Sequence, residues 1–241
     1  MREDSDRHME QVNGNNTILS LLQLSDPGLP IGGFSHSAGL ETYVQLGQVN
    51  NKETATEFII QMLQQNLQYN DAGFLSLAYD AVVNNDLNAI LDLDNLCTAV
   101  KLPFEMRQAS IKLGLRLLKI FGPLVQSSFV LQYKSAIDKG EAQGHYCIMF
   151  GLCAAVMKID KKQALIGFYY NAAAGMVTNS VKLIPLSQQS GQVILFSLQA
   201  LINELAEKSL LPDKELLGLC CSGFDLRSMQ HEQLYSRLYM S

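Results

Sequence analysis

Gln192-Val193-Ile194-Leu195-Phe196-Ser197-Leu198-Gln199-Ala200-Leu201-Ile202-Asn203-Glu204-Leu205 sets Ile194, Leu198, Leu201 and Leu205 four, three and four residues apart. That spacing lines one face of an α-helix. Ile60, Leu63 and Leu67 obey the same rule, with Phe74 seven residues further on. After Pro103, residues Phe104, Ile111, Leu115 and Leu118 share a face until Gly122-Pro123 ends the segment. A shorter run with Ile18, Leu21 and Leu22 stops at Asp26-Pro27-Gly28. Asn51, with Glu53 in the first turn, or Thr54 with Glu57, caps the start of the Ile60 helix. No run alternates with period two, and Asn13-Gly14 has no strand on either side. The pattern predicts an all-α fold, a compact bundle of about eight to ten short helices.

The chain is short of charge. Its 18 Lys and Arg against 23 Asp and Glu leave a net charge of −5, too acidic for a protein that neutralises phosphates, so nucleic acid is not an expected partner. Charged residues are 17% of the chain, against roughly 25% for an ordinary soluble domain. From Gln163 to Asn203, 41 residues carry a single charge, Lys182. Asn171, Asn179, Pro185, Gln188, Gln189 and Gln192 interrupt every window of about 20 residues, which argues against a membrane span. Two readings remain: central core helices, or a core joined to a buried protein interface. Lys182 then pairs either with a buried acid or with a partner's carboxylate. Five cysteines, an odd number without regular spacing, point to reduced thiols and a cytoplasmic location. Residues 1–16 hold four acids, two arginines and three asparagines and are expected to be a disordered tail, ahead of a single domain over residues 17–241.

Catalytic signatures are missing. No Gly-Lys pair exists to build a phosphate loop. Gly33-Phe34-Ser35-His36-Ser37 falls one glycine short of a nucleophile elbow and lacks the preceding strand. An all-α hydrolase using Ser35 and His36 is therefore the weakest alternative. His36, His145 or the cysteines would serve a direct metal-ion carrier, but His145 and Cys153 lie eight residues apart, Cys147 between them reads as a core thiol, and Cys220-Cys221 is not a CxxC pair. No metal site is expected. His231 lies in a polar, helical-looking tail and reads as solvated.

Pro30-Ile31-Gly32-Gly33-Phe34-Ser35-His36-Ser37-Ala38-Gly39-Leu40-Glu41 is dense in turn residues and then opens a helix. Ser37 is placed to accept from the first freed N–H groups, and Glu41 to sit near the positive helix end. The segment is either a helix cap with a core Phe or a docking loop whose glycines let a neighbour approach and whose Phe34 and His36 anchor it. This block resembles the N-terminal signature of the UreF family of urease accessory proteins, Pro-x-Gly-x-Phe/Tyr-Ser/Thr-His-Ser-x-Gly-Leu-Glu. Val181-Lys182-Leu183-Ile184-Pro185-Leu186-Ser187-Gln188-Gln189-Ser190-Gly191-Gln192 resembles the family's second block. Met229-Gln230-His231-Glu232-Gln233-Leu234-Tyr235-Ser236-Arg237-Leu238-Tyr239-Met240-Ser241 resembles its C-terminal ending. Ala38 departs from the pattern, where an aromatic is frequent.

The resemblance implies an all-α, dimeric scaffold that is not an enzyme. It implies assembly with a UreD/UreH-type protein and the UreG-type GTPase to couple GTP hydrolysis to nickel insertion into apo-urease, with nickel and GTP handled by the partners. Partner contacts carried over by the resemblance are Phe34, Tyr235, Arg237 and Tyr239; Ser35, His36, Lys182 and Leu238 are expected to join them, while the rival to a scaffold, a direct nickel carrier, would use His36, His145 or the cysteines. Pro30, Gly32, Gly39, Glu41, Pro185, Gln188 and Gly191 are carried over as structural positions of the blocks.

Overall fold

The computed structural model describes residues 17–37 and 39–240, with Phe34 described by its backbone alone; the predicted tail over residues 1–16 lies outside them. Among the described residues the chain is all helix, without strands. Helix α1 spans residues 17–24 and α2 Leu40–Gln45; α3, Lys52–Gln61, runs on through a π-helical turn, Met62–Leu67. They are followed by α4 (Asp71–Val83), α5 (Leu87–Val100), α6 (Phe104–Val125), α7 (Ser128–Asp138) and α8 (Tyr146–Val156). The C-terminal part contains α9 (Lys161–Leu183), α10 (Gln188–Ser197), α11 (Gln199–Lys208) and α12 (Ser222–His231).

These twelve exceed the predicted eight to ten because two predicted stripes are split. Ile194, Leu198 and Leu205 are all buried, but the chain bends at Leu198, so the stripe belongs to α10 and α11. The stripe of Ile60, Leu63, Leu67 and Phe74 is interrupted at residues 68–70 and finishes on α4. The start of α3 is settled in favour of Asn51, whose side chain accepts from the Thr54 N–H while Thr54 returns a bond to the Asn51 N–H. Thr54 is thereby spent, and no second cap with Glu57 forms.

Helix α6 keeps only part of its predicted face: Leu118 is buried and Ile111 half-buried. Phe104 is 56% exposed and Leu115 faces solvent, while the buried side is Ala109, Ser110, Gly114, Leu117, Leu118 and Phe121. Small residues win because α6 lies almost on the backbone entering α8: a Cβ on Gly114 would sit 2.0 Å from the Gly144 carbonyl oxygen. Nor does the helix end at Gly122-Pro123. It continues to Val125 with Pro123 inside its last turn, and Gln126 closes it in the left-handed region. Pro123 costs one backbone bond there rather than a helix.

The core centres on α4 and α8, which cross closely enough that a Cβ on Gly151 would lie 2.5 Å from the Leu75 carbonyl oxygen. Helix α9 packs along both, and its ring from Phe168 joins Tyr146 and Phe150 with centroids 5.2 to 6.0 Å apart. Such edge and tilted contacts suit the ring quadrupole. The charge-poor stretch divides accordingly. Along α9 it is core; on α10 it leaves Val193 and Phe196 exposed.

One buried carboxylate ties three helices together. Asp94 of α5 is fully buried and accepts from Tyr133 OH (2.5 Å) and from the N–H groups of Gln143, Gly144 and His145 (2.6, 3.0 and 3.2 Å). It caps α8 from a neighbouring helix, charge against positive dipole end. The His145 ring, also buried, bonds the hydroxyls of Thr98 and Ser110. Cys97, Cys147 and Cys153 are buried core thiols.

Candidate functional site

The first sequence block folds as a loop held from behind. Leu29 and Ile31 are buried, Pro30 is exposed, and Gly32 adopts φ 84° while the Arg116 guanidinium crosses it to donate to the Ile31 carbonyl at 2.8 Å. A side chain at 32 would be strained by that φ and would meet the guanidinium at 2.2 Å. Gly33–Ser35 forms one 3-10 turn. The Ser35 hydroxyl donates to the Gly32 carbonyl at 2.7 Å, the bond of a turn rather than of a nucleophile poised on a base. Burial, and then the charges of Lys112 and Arg116, hold the His36 imidazole below its ordinary 6.5, with Glu105 opposing them. Asn179 of α9 donates to the His36 carbonyl at 2.8 Å. Ser37 is buried, but its hydroxyl reaches the Glu41 N–H only at 3.5 Å, a marginal cap. Gly39, at φ 77°, is the residue at the N-terminal boundary of α2.

The C-terminal block lies on this loop, although about 200 residues of chain separate them. Thr42 donates to the Arg227 carbonyl (3.1 Å), Gln45 to that of Ser236 (3.1 Å), and the Met240 N–H to that of Ser35 (2.8 Å). Glu41 is 4% exposed and accepts from the N–H groups of Leu238 (2.7 Å) and Tyr239 (3.1 Å). His231 corrects its predicted solvation: it is wholly buried, its Nε2 3.3 Å from Glu41 and its Nδ1 2.7 Å from Glu105. Arg237 donates to the other oxygen of Glu105 at 2.6 Å with its side chain still partly open to solvent. Tyr235 and Leu238 point outward, whereas Tyr239 is buried. The Phe34 side chain lies outside the described residues.

The second block makes a corner between α9 and α10. Gly191 is buried against Val177 and Val181, Ser187 caps α10, and Pro185 and Gln188 are exposed. Lys182 is exposed in the last turn of α9 and pairs with no carboxylate among the described residues, so the buried-acid alternative falls away. What sequence reasoning missed is Glu105, His231, Arg116 and Asn179 as fasteners. Each bonds to a residue more than 80 positions away, and no local pattern marks such a pairing.

Below the loop is a cavity of about 250 Å³, with His36, Met62, Tyr146 and Asn171 among its walls. The Lys101 ammonium and Asp71 carboxylate meet there at 2.9 Å. Burial, the largest single influence, works against the charged lysine, but Asp71 with Cys97 and Cys147 together hold the Lys101 pKa above 10.5. A second, more open groove of about 580 Å³ runs between α3 and the start of α12, past Tyr43, Phe58 and Cys220. Among the described residues no three His, Cys, Asp or Glu side chains are placed to hold a metal ion, and no helix is long and apolar enough to cross a membrane.

Residues 49–199 match the family model UreF. The urease accessory protein UreF of Actinobacillus pleuropneumoniae serotype 5b is 50% identical over 222 residues, covering 92% of this chain and 98% of that protein. UreF of Haemophilus influenzae Rd is 48% identical over the same share of this chain and 94% of its own. UreF of Lachnoclostridium phytofermentans is 36% identical over 94% of this chain and all of its own length. A match of this extent means that the protein belongs to the UreF family of urease accessory proteins, which are not enzymes.

Proposed function

We propose that this protein is a cytoplasmic scaffold in urease maturation. As a homodimer it assembles with a UreD/UreH-type protein and a UreG-type GTPase, and the assembly couples GTP hydrolysis to nickel insertion into apo-urease. Nickel and GTP are handled through the partners. The observation that carries this reading is the joining of the loop before α2 to the C-terminal tail, which builds one continuous surface from two distant blocks and leaves Tyr235, Leu238 and part of Arg237 facing outward. Tyr and Arg are the residue types that dominate binding energy at protein interfaces. Linkage then suffices for mechanism: a scaffold that prefers one nucleotide state of the GTPase couples hydrolysis to release with no catalytic side chain of its own.

Arg237→Ala is expected to leave the helical fold intact and to abolish recruitment of the GTPase. The check is co-purification of the three-protein complex by size-exclusion chromatography with mass measurement. Full recovery of the GTPase with the variant would remove Arg237 from the docking surface.

A further inference from the structure

Glu41 stands out among the buried acids because two of its partners are main-chain groups of the C-terminal tail. The tail bends at 238 and 239. That bend turns two successive N–H groups, those of Leu238 and Tyr239, onto the two oxygens of one carboxylate at 2.7 and 3.1 Å. Successive N–H groups converging in this way form a concave anion site in a backbone, and here the anion is supplied from within the same chain by α2. The seat is braced on its far side. His231 bridges Glu41 to Glu105, and Glu105 in turn receives Arg237 from the tail itself. Three elements thus contribute a group: the tail its N–H pair, α12 its imidazole, and α6 its carboxylate one step removed.

We propose that Glu41 is a positioning residue for the partner surface: its carboxylate seats the C-terminal tail through Leu238 and Tyr239 and thereby fixes how Tyr235, Arg237 and Leu238 are presented. The inference rests on the tail being the docking surface. The negative charge is the essential property, because bonds to an ionised acceptor are roughly twice as strong as neutral ones. Glutamine would offer one carbonyl oxygen and turn an amide donor toward N–H groups that are themselves donors. With the seat broken, the tail leaves its place and the partner must order it on binding.

The test is residue-resolved amide hydrogen exchange on the full chain, with partner affinity measured alongside. In the unmodified protein, Leu238 and Tyr239 amides are expected to exchange at least about tenfold more slowly than that of Ser236 in the same tail, since a seated N–H exchanges only on opening. Equal rates would overturn the proposal whatever any variant does. In Glu41→Gln, those two amides should speed up by at least about tenfold while amides in α4 and α8 keep their rates. Affinity for the UreD/UreH-type protein should fall by a similar factor, and Glu41→Asp should recover part of both. Unchanged exchange at Leu238 and Tyr239 in Glu41→Gln refutes the seat. Faster exchange with unchanged partner affinity refutes the tail's role in docking, and with it the reading on which this inference rests, while leaving the seat in place.

Discussion

Asp94→Ala is expected to lower the free energy of unfolding by about 3–5 kcal/mol, a large share of the roughly 5–15 kcal/mol that holds a typical domain together. The carboxylate is fully buried and receives four hydrogen bonds, three of them from the backbone that opens α8. Removing it strands Tyr133 OH and three N–H groups in the interior, each costing about 1–3 kcal/mol when unmade, less whatever water reaches the space. Burial and the Asp94 charge both hold the Tyr133 phenol well above its usual 10.0, so the tyrosine stays a neutral donor in that bond. Asp94→Asn keeps an acceptor and should recover part of the loss. Urea unfolding followed by circular dichroism, with the two midpoints compared at equal slope, measures both effects. A change under about 1 kcal/mol for the alanine variant would contradict the role assigned to this group.

Gly114→Ala should be nearly as damaging, although it adds a single methyl group. The new Cβ would lie 2.0 Å from the Gly144 carbonyl oxygen and 2.8 Å from both the His145 carbonyl carbon and the Tyr146 nitrogen. All three are backbone atoms, so no rotamer change gives relief. Either α6 moves away from α8 or the turn at 144–146 is displaced, and that turn donates two of the bonds to Asp94. Overpacking of this kind costs about 1–3 kcal/mol and occasionally more; the upper part of that range is expected, read as a fall of several degrees in melting temperature. An alanine variant as stable as the parent would show that α6 and α8 do not approach as described.

Much of the fold was legible because helices advertise themselves locally. Spacing of three and four located the helices and picked out Leu63, Leu67, Ile194, Leu198 and Leu205 among the buried positions, and Asn51 was marked as a cap by its own type. The failures are physical. On α6 Phe104 and Leu115 of the predicted stripe are exposed, because close approach to α8, which demands Gly114, outweighs the larger side chains' area. A histidine in a polar stretch gives no sign that two glutamates from α2 and α6 will close around it, so His231 read as solvated. The candidate site was found as three blocks through their likeness to a family, and Glu41 was among them. That Glu41 binds the tail could not be seen, since its partners are backbone N–H groups, which every residue but proline carries.

Lys182 and Arg237 show the same limit from the other side. Each is the single Lys or Arg of its block, yet one is exposed and unpaired among the described residues and the other is fixed on Glu105. Sequence supplies the type of each side chain; the distance to a carboxylate comes from packing that runs through α2, α6 and α12 together.

The most direct examination of the scaffold reading is site-specific photo-cross-linking from the outward residues of the tail. Tyr235 and Leu238 are each replaced in the full chain by p-benzoylphenylalanine, the chain is mixed with the UreD/UreH-type protein and the GTPase, and the complex is isolated before irradiation. Covalent capture of one of those partners from position 235 or 238 is the expected result, because both side chains are exposed on the surface that the loop and tail build together. An isolated three-protein complex that gives no cross-link from either position would contradict it.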